Sequence, residues 1–392
     1  MEICKIGVLG VGSSGIQCLA HLCAYLPNCF EIYSIHDPKI NIVGIGESTN
    51  PSFIFTLEHG IDFNIHDQIK NSDLDSTIKL GTYYQEWREN DFINPLLGGH
   101  CAIHMNTFKL KDFAFSRLRA KWGNKFKEIH GNAKIIENTN NGVILDVDGT
   151  NFQFDYLIDC TGFPKEYDDY TVLHDHPTNH CLVHNVKTPA DWGHTKHIAT
   201  KDGWMFGIPL TTRTSYGYVF NDSITDTDTA KLNFSKKINV DISEMDSIEY
   251  KFVSYYCNKL IDKRIIRNGN KAVFFEPLFA NSLWLYDKIN RIICDYLSGV
   301  DQQTCNDAFK KNASDVLAMI KYHYLGGSTH KTKFWEYAKQ YASSIFQDEI
   351  FLKTKTELQE MSKHSYYGKY EWVYGTHNLF LIDKNFKYNN FS

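Results

Sequence analysis

A short apolar segment near the start of the chain runs directly into a glycine-rich turn, and this arrangement restricts the fold more than any other feature. Residues 6–9 have strand character, residues 10–15 read GVGSSG, and apolar residues from Ile16 onward recur at helical spacing. A strand, a glycine turn and a helix in this order are typical of the first βα unit of a dinucleotide-binding fold. A plain glycine-rich βα turn is the alternative.

The residues of this turn suit a bound pyrophosphate. Gly10 permits a tight turn, Gly12 lets the backbone approach the phosphates, and Gly15 lets the helix pack against the strand. Free N–H groups at the positive end of the helix, which begins near Ser13 and Ser14, favour negative charge. We therefore predict that a dinucleotide cofactor binds here.

Later segments extend this prediction. Asp37 follows the second apolar strand, where a carboxylate accepts hydrogen bonds from a ribose, although an Asp-Pro turn is an equal alternative. Asp159 and Gly162 end a later strand, where the ribityl chain and phosphate of a flavin are commonly met. Because two such glycine turns suit FAD better than a nicotinamide nucleotide, we predict FAD. A polar loop after a third strand adds four cofactor-binding candidates: Gly46, Glu47, Ser48 and Thr49.

The composition argues against several other classes of protein. The chain has 392 residues, 43% of them hydrophobic, and a net charge of −5, so neither nucleic acid nor an anionic membrane is an expected partner. Its ten cysteines are irregularly spaced and include no CxxC pair, which indicates neither a disulfide scaffold nor a zinc ribbon. We predict a soluble cytoplasmic protein without a targeting segment or a bound metal.

Hydrophobic patterning predicts an α/β layered fold. Apolar strands alternate with helical segments through the first half, and the segments 283–297 and 306–325 have helical period. We predict a Rossmann-like FAD-binding flavoprotein fold with an additional sheet and a helical C-terminal section. Residues 1–300 form the FAD-binding module with an inserted substrate-side sheet, and residues 301–392 pack over the substrate site, within one continuous structural domain. Residues 165–180, 221–230 and 300–306 are predicted loops.

One cation, Lys79, interrupts the β-branched and aromatic stretch STIKLGTYY at 76–84. On an arbitrary strand, such a lysine usually lays its alkyl stem along apolar neighbours and places its ammonium in water. Alternatively, the ammonium is held inside, where its chemistry can be used. The residues of the strand leave both possibilities open.

Eight segments together identify a family. The chain resembles the flavin-dependent halogenases of the tryptophan-halogenase type, and the matching segments occur in that family's order. They are GVGSSG (10–15), GIGESTNP (44–51), TIKLGTYYQEW (77–87), DYLIDCTGF (155–163), DGWMFGIPL (202–210), GYVF (217–220), FFEPL (274–278) and KTKFWEYAK (331–339).

The resemblance implies an activity and roles for particular residues. Reduced FAD, supplied by a separate flavin reductase, reacts with oxygen and a halide to give hypohalous acid. Lys79 occupies the position of the lysine that directs this oxidant at an electron-rich aromatic small molecule, in a site closed to bulk water. Trp204 and Pro209 belong to an aromatic and proline wall over the flavin ring, and Leu283 belongs to the cofactor site.

The chain departs from the family at one important place. Members that act on free tryptophan continue the EPL motif with a catalytic glutamate, whereas this chain has Phe279 there, and Asn281 and Ser282 stand in the halide-binding positions. Backbone amides bind halide whatever the side chains, and Asn281 can also donate from its side-chain amide, so we predict a halide site at Asn281 and Ser282. Three alternatives remain: a halogenase for activated phenols or indoles, one with a preference for bromide or iodide, and a protein that no longer halogenates. An aromatic monooxygenase and a catalytically silent flavin-binding protein stay open as well.

Further expectations concern the C-terminal end of the chain and the oligomeric state. The chain stops at Ser392, earlier than typical tryptophan-specific members, which favours an open substrate pocket, and the tail at 370–380 could supply stacking surfaces. A homo-oligomer is left open.

Other polar clusters have simpler interpretations. The histidines and cysteine between His174 and His184 fit no compact zinc spacing, so we predict a polar surface loop. Arg117 and Arg119 could reach an FAD phosphate, but we favour the wet face of a helix. Four cysteines in the first βα unit are expected to be core residues: Cys4, Cys18, Cys23 and Cys29.

Overall fold

The computed structural model describes residues 3–40, 42, 44, 47–96 and 101–344, without the side chain of Glu47. Gly46 and all residues from 345 onward, including the tail at 370–380, lie outside the described residues. Contacts divide the chain into two compact units of three segments each. The first unit consists of Met1–Ser76, Met105–Val172 and Tyr255–Ala313, and the second consists of Thr77–His104, Leu173–Ser254 and Ser314–Ser392.

The described strands, in chain order, are β1 (Cys4–Leu9), β2 (Phe30–His36), β3 (Glu47–Ser48), β4 (Thr77–Lys79), β5 (Gly81–Gln85), β6 (Phe92–Pro95), β7 (Ala102–Met105), β8 (Phe126–His130), β9 (Ala133–Asn138), β10 (Val143–Val147), β11 (Thr150–Phe154), β12 (Tyr156–Asp159), β13 (Tyr170–Val172), β14 (His180–Val186), β15 (Thr195–Ala199), β16 (Gly203–Pro209), β17 (Thr214–Phe220), β18 (Ile248–Lys251), β19 (Tyr255–Cys257), β20 (Ile261–Asp262), β21 (Ile265–Arg267) and β22 (Val273–Phe274). The described α-helices are α1 (Ser13–Tyr25), α2 (Pro51–Ile61), α3 (Ile65–Asn71), α4 (Thr107–Trp122), α5 (Thr227–Ile238), α6 (Asn281–Leu297), α7 (Gln302–Leu325) and α8 (Lys333–Ser343).

The first unit is built around a six-stranded sheet in the order β20-β21-β12-β1-β2-β8. Strand β1 lies at its centre and runs parallel to β2 and β12, and these run parallel to β8 and β21. In register, Leu9 lies beside both Ile35 and Asp159. The carboxyl ends of three parallel strands therefore meet at one edge, the edge at which α/β sheets bind ligands.

The predicted helices of the first unit form where the apolar period indicated. Helix α1 buries ten consecutive residues, Ser14–Cys23, and α6 buries Leu285, Ile289 and Ile292 on one face. A second apolar cluster lies between the central strands and the antiparallel strands β9, β10 and β11; it comprises Leu9, Ile35, Val143, Leu145, Val147, Phe154 and Leu157. The cysteines behave largely as expected, because Cys18 and Cys23 are fully buried, whereas Cys4 and Cys29 are half-buried.

The second unit is built around a seven-stranded sheet in the order β18-β14-β17-β16-β15-β5-β6. Neighbouring strands are antiparallel except β5 and β15, which are parallel. Because side chains alternate along a strand, the two faces bury different residues. One face, with Ile198 and Met205, packs in a cluster with Ala230 and Phe234 of α5.

The expected α/β fold, with additional sheets and a helical C-terminal region, is confirmed. Three loop predictions need correction: β13 lies within 165–180, α5 begins at Thr227 within 221–230, and α7 begins at Gln302 within 300–306. Both helix starts follow an aspartate whose carboxylate accepts hydrogen bonds from the first turn, Asp226 from the Thr229 N–H and Asp301 from the Thr304 N–H.

The surface loop predicted between His174 and His184 is wrong from His180 onward. There the chain forms β14, which pairs on both edges with β17 and β18 and whose residues 180–184 are all buried. His180 is enclosed and its ring stacks on Phe220 at a centroid distance of 4.6 Å. Among the described residues, no group of three or more His, Cys, Asp or Glu side chains is arranged to hold a metal ion.

The predicted modules 1–300 and 301–392 stay a prediction, since each compact unit combines three distant segments and 345–392 lie outside the described residues. No helix in the described part of the chain is long and apolar enough to cross a membrane.

Candidate functional site

The glycine turn after β1 has the form that a bound pyrophosphate requires. Gly10 has a φ of +100°, and a Cβ there would lie 2.6 Å from the main-chain oxygen of Cys160. A Cβ at Gly15 would lie 2.0 Å from the main-chain oxygen of Gly10, so both positions need glycine for close packing. At Gly12, by contrast, no atom lies within 4 Å of an added Cβ. Open space at this one glycine fits a group that approaches the backbone.

No side chain accepts a hydrogen bond from the N–H groups at the amino end of α1. Gly12 is the N-cap residue, no side chain caps the helix, and the first turn contains no acidic residue. The positive end of a 13-residue helix therefore faces the space beside Gly12. Together, the space and the uncapped helix fit the pyrophosphate of a dinucleotide such as FAD. Ser13 and Ser14 lie in this turn, as predicted from the sequence.

Asp37 lies at the carboxyl end of β2 beside an open surface pocket. The pocket is lined by Asp37, Pro38, Lys39, His130, Gly131, Asn132 and Asp148. Asp37 Oδ1 also accepts a hydrogen bond from the Lys39 N–H at 2.8 Å. The carboxylate thus forms the Asp-Pro turn and borders the pocket at the same time, so the two interpretations from the sequence are compatible.

Asp159 and Gly162 lie at the same edge of the sheet. The Asp159 carboxylate accepts hydrogen bonds from the Thr161 N–H at 3.0 Å and the Thr161 hydroxyl at 2.6 Å, which shapes the following turn. Gly162 has a φ of +90° and no atom within 4 Å of an added Cβ. The cofactor role of Asp159 stays a prediction, and its visible role is to hold the turn that leads to Gly162.

The polar loop after residue 44 is only partly described. Ser48 is half-buried and Thr49 is fully buried, just before the N-cap Asn50 of α2. Gly46 and the side chain of Glu47 lie outside the described residues. The cofactor role predicted for these four residues stays a prediction.

The segment that departs from the family has an unusual backbone. Phe279 has φ +62° and Ala280 has φ +52°, so two consecutive residues other than glycine adopt the left-handed conformation. Such residues cost roughly 1–2 kcal/mol each and concentrate at functional sites. Ala280 is also the N-cap of α6, and no side chain caps this helix. A left-handed residue followed by the right-handed Asn281 gives the alternating geometry of a backbone anion nest.

The side chain of Asn281 is already occupied. Its amide nitrogen donates to the main-chain oxygens of Glu276 and Leu278, both at 2.7 Å. A halide at this place would therefore meet main-chain N–H groups rather than the Asn281 amide. Leu283 follows in α6, 4% exposed, and its carbonyl accepts a hydrogen bond from Gln17 of α1. The roles predicted for Asn281, Ser282 and Leu283 stay predictions.

Lys79, in the second unit, is held inside the protein. It ends β4 and is only 4% exposed. Its ammonium therefore does not lie in water, which was one of the two possibilities left open by the sequence. Its partner across the strand pair is Ala102, whose small side chain leaves room beside the lysine stem. An ammonium in such a place is a strong hydrogen-bond donor with little competition from bulk water.

Two buried histidines, His104 and His197, lie within range of the charge of Lys79. Burial, and secondly the positive charge of Lys79, hold the pKa of His104 well below its usual range. Burial, then His323 and Lys79, do the same to the pKa of His197. Both imidazoles are therefore neutral at physiological pH. Neither histidine was singled out from the sequence, where a lone His in an apolar strand gives no distinct signal.

The aromatic and proline motif forms β16, all seven residues of which are buried. Trp204 is fully buried, with its ring 5.2 Å from that of His197, and Pro209 ends the strand. Both residues are thus placed in the unit that holds Lys79, while their contact with a flavin stays a prediction. Arg119 forms an exposed ion pair with Glu128, and Arg117 lies over the ring of Phe113, which favours the wet-face interpretation of both arginines.

Known proteins resemble this chain in sequence and in structure. The profile of the family described as tryptophan halogenase matches residues 5–144 and 129–375. Tryptophan 6-halogenase ThaL of Streptomyces albogriseolus is 24% identical over 251 residues, which cover 57% of this chain and 46% of that protein. The chain spans less than half the length of the curated relatives it matches.

Two solved structures share the fold over nearly the whole chain. The tryptophan halogenase from Shewanella frigidimarina NCIMB 400 matches with a TM-score of 0.77 at 18% identity and covers 99% of this chain and 91% of its own. Xcc4156, a flavin-dependent halogenase from Xanthomonas campestris, matches with a TM-score of 0.77 at 16% identity and covers 97% and 89%.

Proposed function

This chain belongs to the tryptophan halogenase family, and on that premise we propose that it is a flavin-dependent halogenase. It uses FADH2, oxygen and a halide to place a halogen on an electron-rich aromatic small molecule. The observation that carries the proposal is the burial of Lys79, at 4% exposure, within the motif TIKLGTYYQEW. A lysine without an internal role on this strand would usually place its ammonium in water.

Lys79 can carry the proton transfers of the halogen-transfer step by itself. Its ammonium donates a hydrogen bond to the oxygen of hypohalous acid, and the bond between oxygen and halogen breaks as the halogen joins the aromatic carbon. The departing hydroxide takes a proton from Lys79 and becomes water. The amine of Lys79 then accepts the proton that the ring loses, which restores the ammonium. This cycle needs no carboxylate, so it is compatible with Phe279.

The first unit supplies the residues that would hold FAD. Gly10, Gly12 and Gly15 and the uncapped end of α1 suit the pyrophosphate, and the pocket beside Asp37 suits the ribose. Bound FADH2 supplies the activated oxygen that oxidises the halide. The chain's own residues bind and orient the reactants and keep water from the oxidant.

A halide site on main-chain N–H groups at 280–282 is part of the proposal. The left-handed Ala280, the right-handed Asn281 and the uncapped start of α6 together direct N–H groups at one place. A site made of backbone tolerates larger anions than one shaped by side chains. We infer a relaxed halide preference that includes bromide and iodide.

The partners follow from this chemistry. A flavin reductase supplies FADH2, either by diffusion or in a transient complex, and the substrate is a free aromatic molecule such as a phenol or an indole. We place the reaction in the cytoplasm, where reduced flavin is available.

Phe279 favours one other function, that of a catalytically silent flavin-binding protein. A half-buried aromatic side chain stands where tryptophan-specific members have a catalytic glutamate. A protein with this change could bind FAD without oxidising a halide. The experiment below distinguishes this function from the halogenase.

The test compares wild type with Lys79→Met, which removes the charge but keeps a flexible side chain of similar length. Each protein receives FADH2, oxygen, a panel of phenols and indoles, and chloride, bromide or iodide in turn, and products are identified by mass. Lys196→Met is the matched control, because Lys196 lies in the same unit but stacks its ammonium on Trp192 at 3.7 Å.

Halogenated product from wild type and Lys196→Met, and loss of at least about a hundredfold in Lys79→Met with flavin reoxidation unchanged, is the expected result. Hydroxylated products that do not depend on halide would instead indicate an aromatic monooxygenase. Wild type that binds FAD but forms no product with any halide would support the silent flavoprotein. Strict use of chloride would refute the relaxed halide preference alone.

A further inference from the structure

Four groups in the second unit form a continuous chain of hydrogen bonds next to Lys79. The Thr77 hydroxyl donates to the main-chain oxygen of Pro209 at 2.6 Å. Thr77 Oγ1 also lies 3.0 Å from His104 Nδ1, and His104 Nε2 lies 2.9 Å from the hydroxyl of Thr195. The chain joins β4, β7, β15 and the end of β16.

Hydrogen counting determines the direction of every bond in this chain. Thr77 has one hydroxyl hydrogen and gives it to Pro209, so it must accept the hydrogen of His104 Nδ1. His104 is neutral, since burial and the nearby Lys79 hold its pKa well below the usual range. Its Nε2 therefore carries a lone pair and accepts the hydroxyl hydrogen of Thr195. Both nitrogens of a fully buried imidazole are used, and its tautomer is determined.

These hydrogen bonds hold β4 at Thr77, the neighbour of Lys79 on the same face of the strand. Thr77 and Lys79 are two residues apart on β4 and so point to the same side. Opposite them on β7 lie His104 and Ala102 respectively. The bonded pair thus lies one step along the strand from the lysine. At the other end of the chain of bonds is Pro209, the last residue of the aromatic and proline motif.

We propose that His104 is a positioning residue that, through Thr77, fixes Lys79 relative to Pro209 and so determines how much hypohalous acid is captured by the substrate. The inference rests on the proposed halogenase function. Two short strands would otherwise depend on a few main-chain bonds for their alignment, because β4 has three residues and β7 has four. A misplacement of about 1 Å at a reacting group can cost about a hundredfold in rate.

The test is a partition experiment with Thr77→Val, which keeps the shape of the side chain but removes its hydroxyl, and Thr77→Ser, which restores the hydroxyl. Each variant receives FADH2, oxygen, bromide and a phenol, with a diffusible 1,3-diketone added to trap hypohalous acid that escapes. We measure halogenated phenol, trapped oxidant, flavin reoxidation and melting temperature. A third variant, Thr195→Val, removes the hydroxyl that donates to His104 Nε2.

If His104 positions Lys79, Thr77→Val should form about tenfold less halogenated phenol or even less. Trapped oxidant should rise, and the rate of flavin reoxidation should stay as in wild type. Thr77→Ser should return the partition to that of wild type, and Thr195→Val should shift it in the same direction as Thr77→Val. If Thr77→Val fails to fold, the comparison of Thr195→Val with wild type decides.

Two results would overturn the inference while leaving the halogenase function intact. One is an unchanged ratio of product to trapped oxidant in Thr77→Val and Thr195→Val. The other is a parallel fall of product, trapped oxidant and melting temperature, which would indicate a purely structural role. Wild type that yields neither product nor trapped oxidant would refute the proposed function itself.

Discussion

The indole nitrogen of Trp204 donates a hydrogen bond to the hydroxyl of Tyr324 at 2.9 Å. Both side chains are fully buried, and their positions are 120 residues apart in the chain. The bond attaches the carboxyl-terminal part of α7 to β16 within the second unit. A second indole, that of Trp335 in α8, donates to the main-chain oxygen of Thr200 at 2.7 Å. Two indole N–H groups thus connect the helical C-terminal region to the strands that carry the aromatic motif.

Tyr324→Phe should lower the free energy of unfolding by about 1–3 kcal/mol, because it leaves the buried Trp204 N–H without an acceptor. Chemical denaturation monitored by tryptophan fluorescence measures this change. Tyr83→Phe is the control, since Tyr83 donates to Asp91 at the surface and its loss should cost little. Equal stability of the two variants would contradict the assignment of a buried, obligatory bond.

Gly12→Ala and Gly15→Ala should change different properties: the first FAD binding and the second stability. At Gly12 the backbone has φ −66° and there is open space, so alanine should fold normally but obstruct the cofactor. At Gly15 the added Cβ would lie 2.0 Å from Gly10 O, so alanine should destabilise the fold. We expect Gly12→Ala to weaken FAD binding by about tenfold or more with an unchanged melting temperature.

Titration of the apo-protein with FAD and a thermal melt of each variant test this pair. If Gly12→Ala bound FAD as wild type does, the pyrophosphate would not lie at this turn.

Ala280→Gly should stabilise the protein by about 1 kcal/mol, because glycine adopts the left-handed conformation without the steric cost that alanine bears. The matched control is Ala308→Gly within α7, which should destabilise by about 1 kcal/mol as glycine does in helices. Urea unfolding of both variants measures the difference. Destabilisation by Ala280→Gly would contradict the strained backbone at this position.

Acid should destabilise the second unit through His323. This residue is fully buried, donates from Nδ1 to the Met319 carbonyl and accepts from the Tyr84 hydroxyl, and burial lowers its pKa to about 4. Between pH 6.5 and about 4 the unfolded chain binds a proton here that the folded chain does not. The free energy of unfolding therefore falls as pH is lowered, by about 2 kcal/mol for this one group between pH 7 and pH 5.

The measurement is the difference in unfolding free energy between pH 7 and pH 5. In His323→Gln this difference should shrink by about 2 kcal/mol, even though the variant is less stable at pH 7 through its lost hydrogen bonds. His59→Gln, which removes an exposed imidazole, is the matched control for the loss of a histidine side chain. An unaltered pH dependence in His323→Gln would refute the neutral, buried state.

Local features could be predicted from the sequence where neighbouring residues decide them. The glycine turn, α1 and α6 form where spacing indicated, because apolar period and turn chemistry act over a few residues. The starts of α5 and α7 were missed although Asp226 and Asp301 carry the usual N-cap signal. The strand from His180 was missed because its polar residues read as a loop, whereas its main-chain partners β17 and β18 are distant in the chain.

The sequence by itself determined the family, the α/β fold and the identity of the lysine in TIKLGTYYQEW, since these depend on motifs and their order. Only the tertiary structure decided that Lys79 is buried, that His104 and His197 lie near it as neutral imidazoles, and that the Asn281 amide is used by main-chain oxygens. The physical reason is that burial and hydrogen-bond partners are properties of strands brought together from distant segments. The direction of the bonds from Thr195 through His104 and Thr77 to Pro209 exists only once β4, β7, β15 and β16 have assembled.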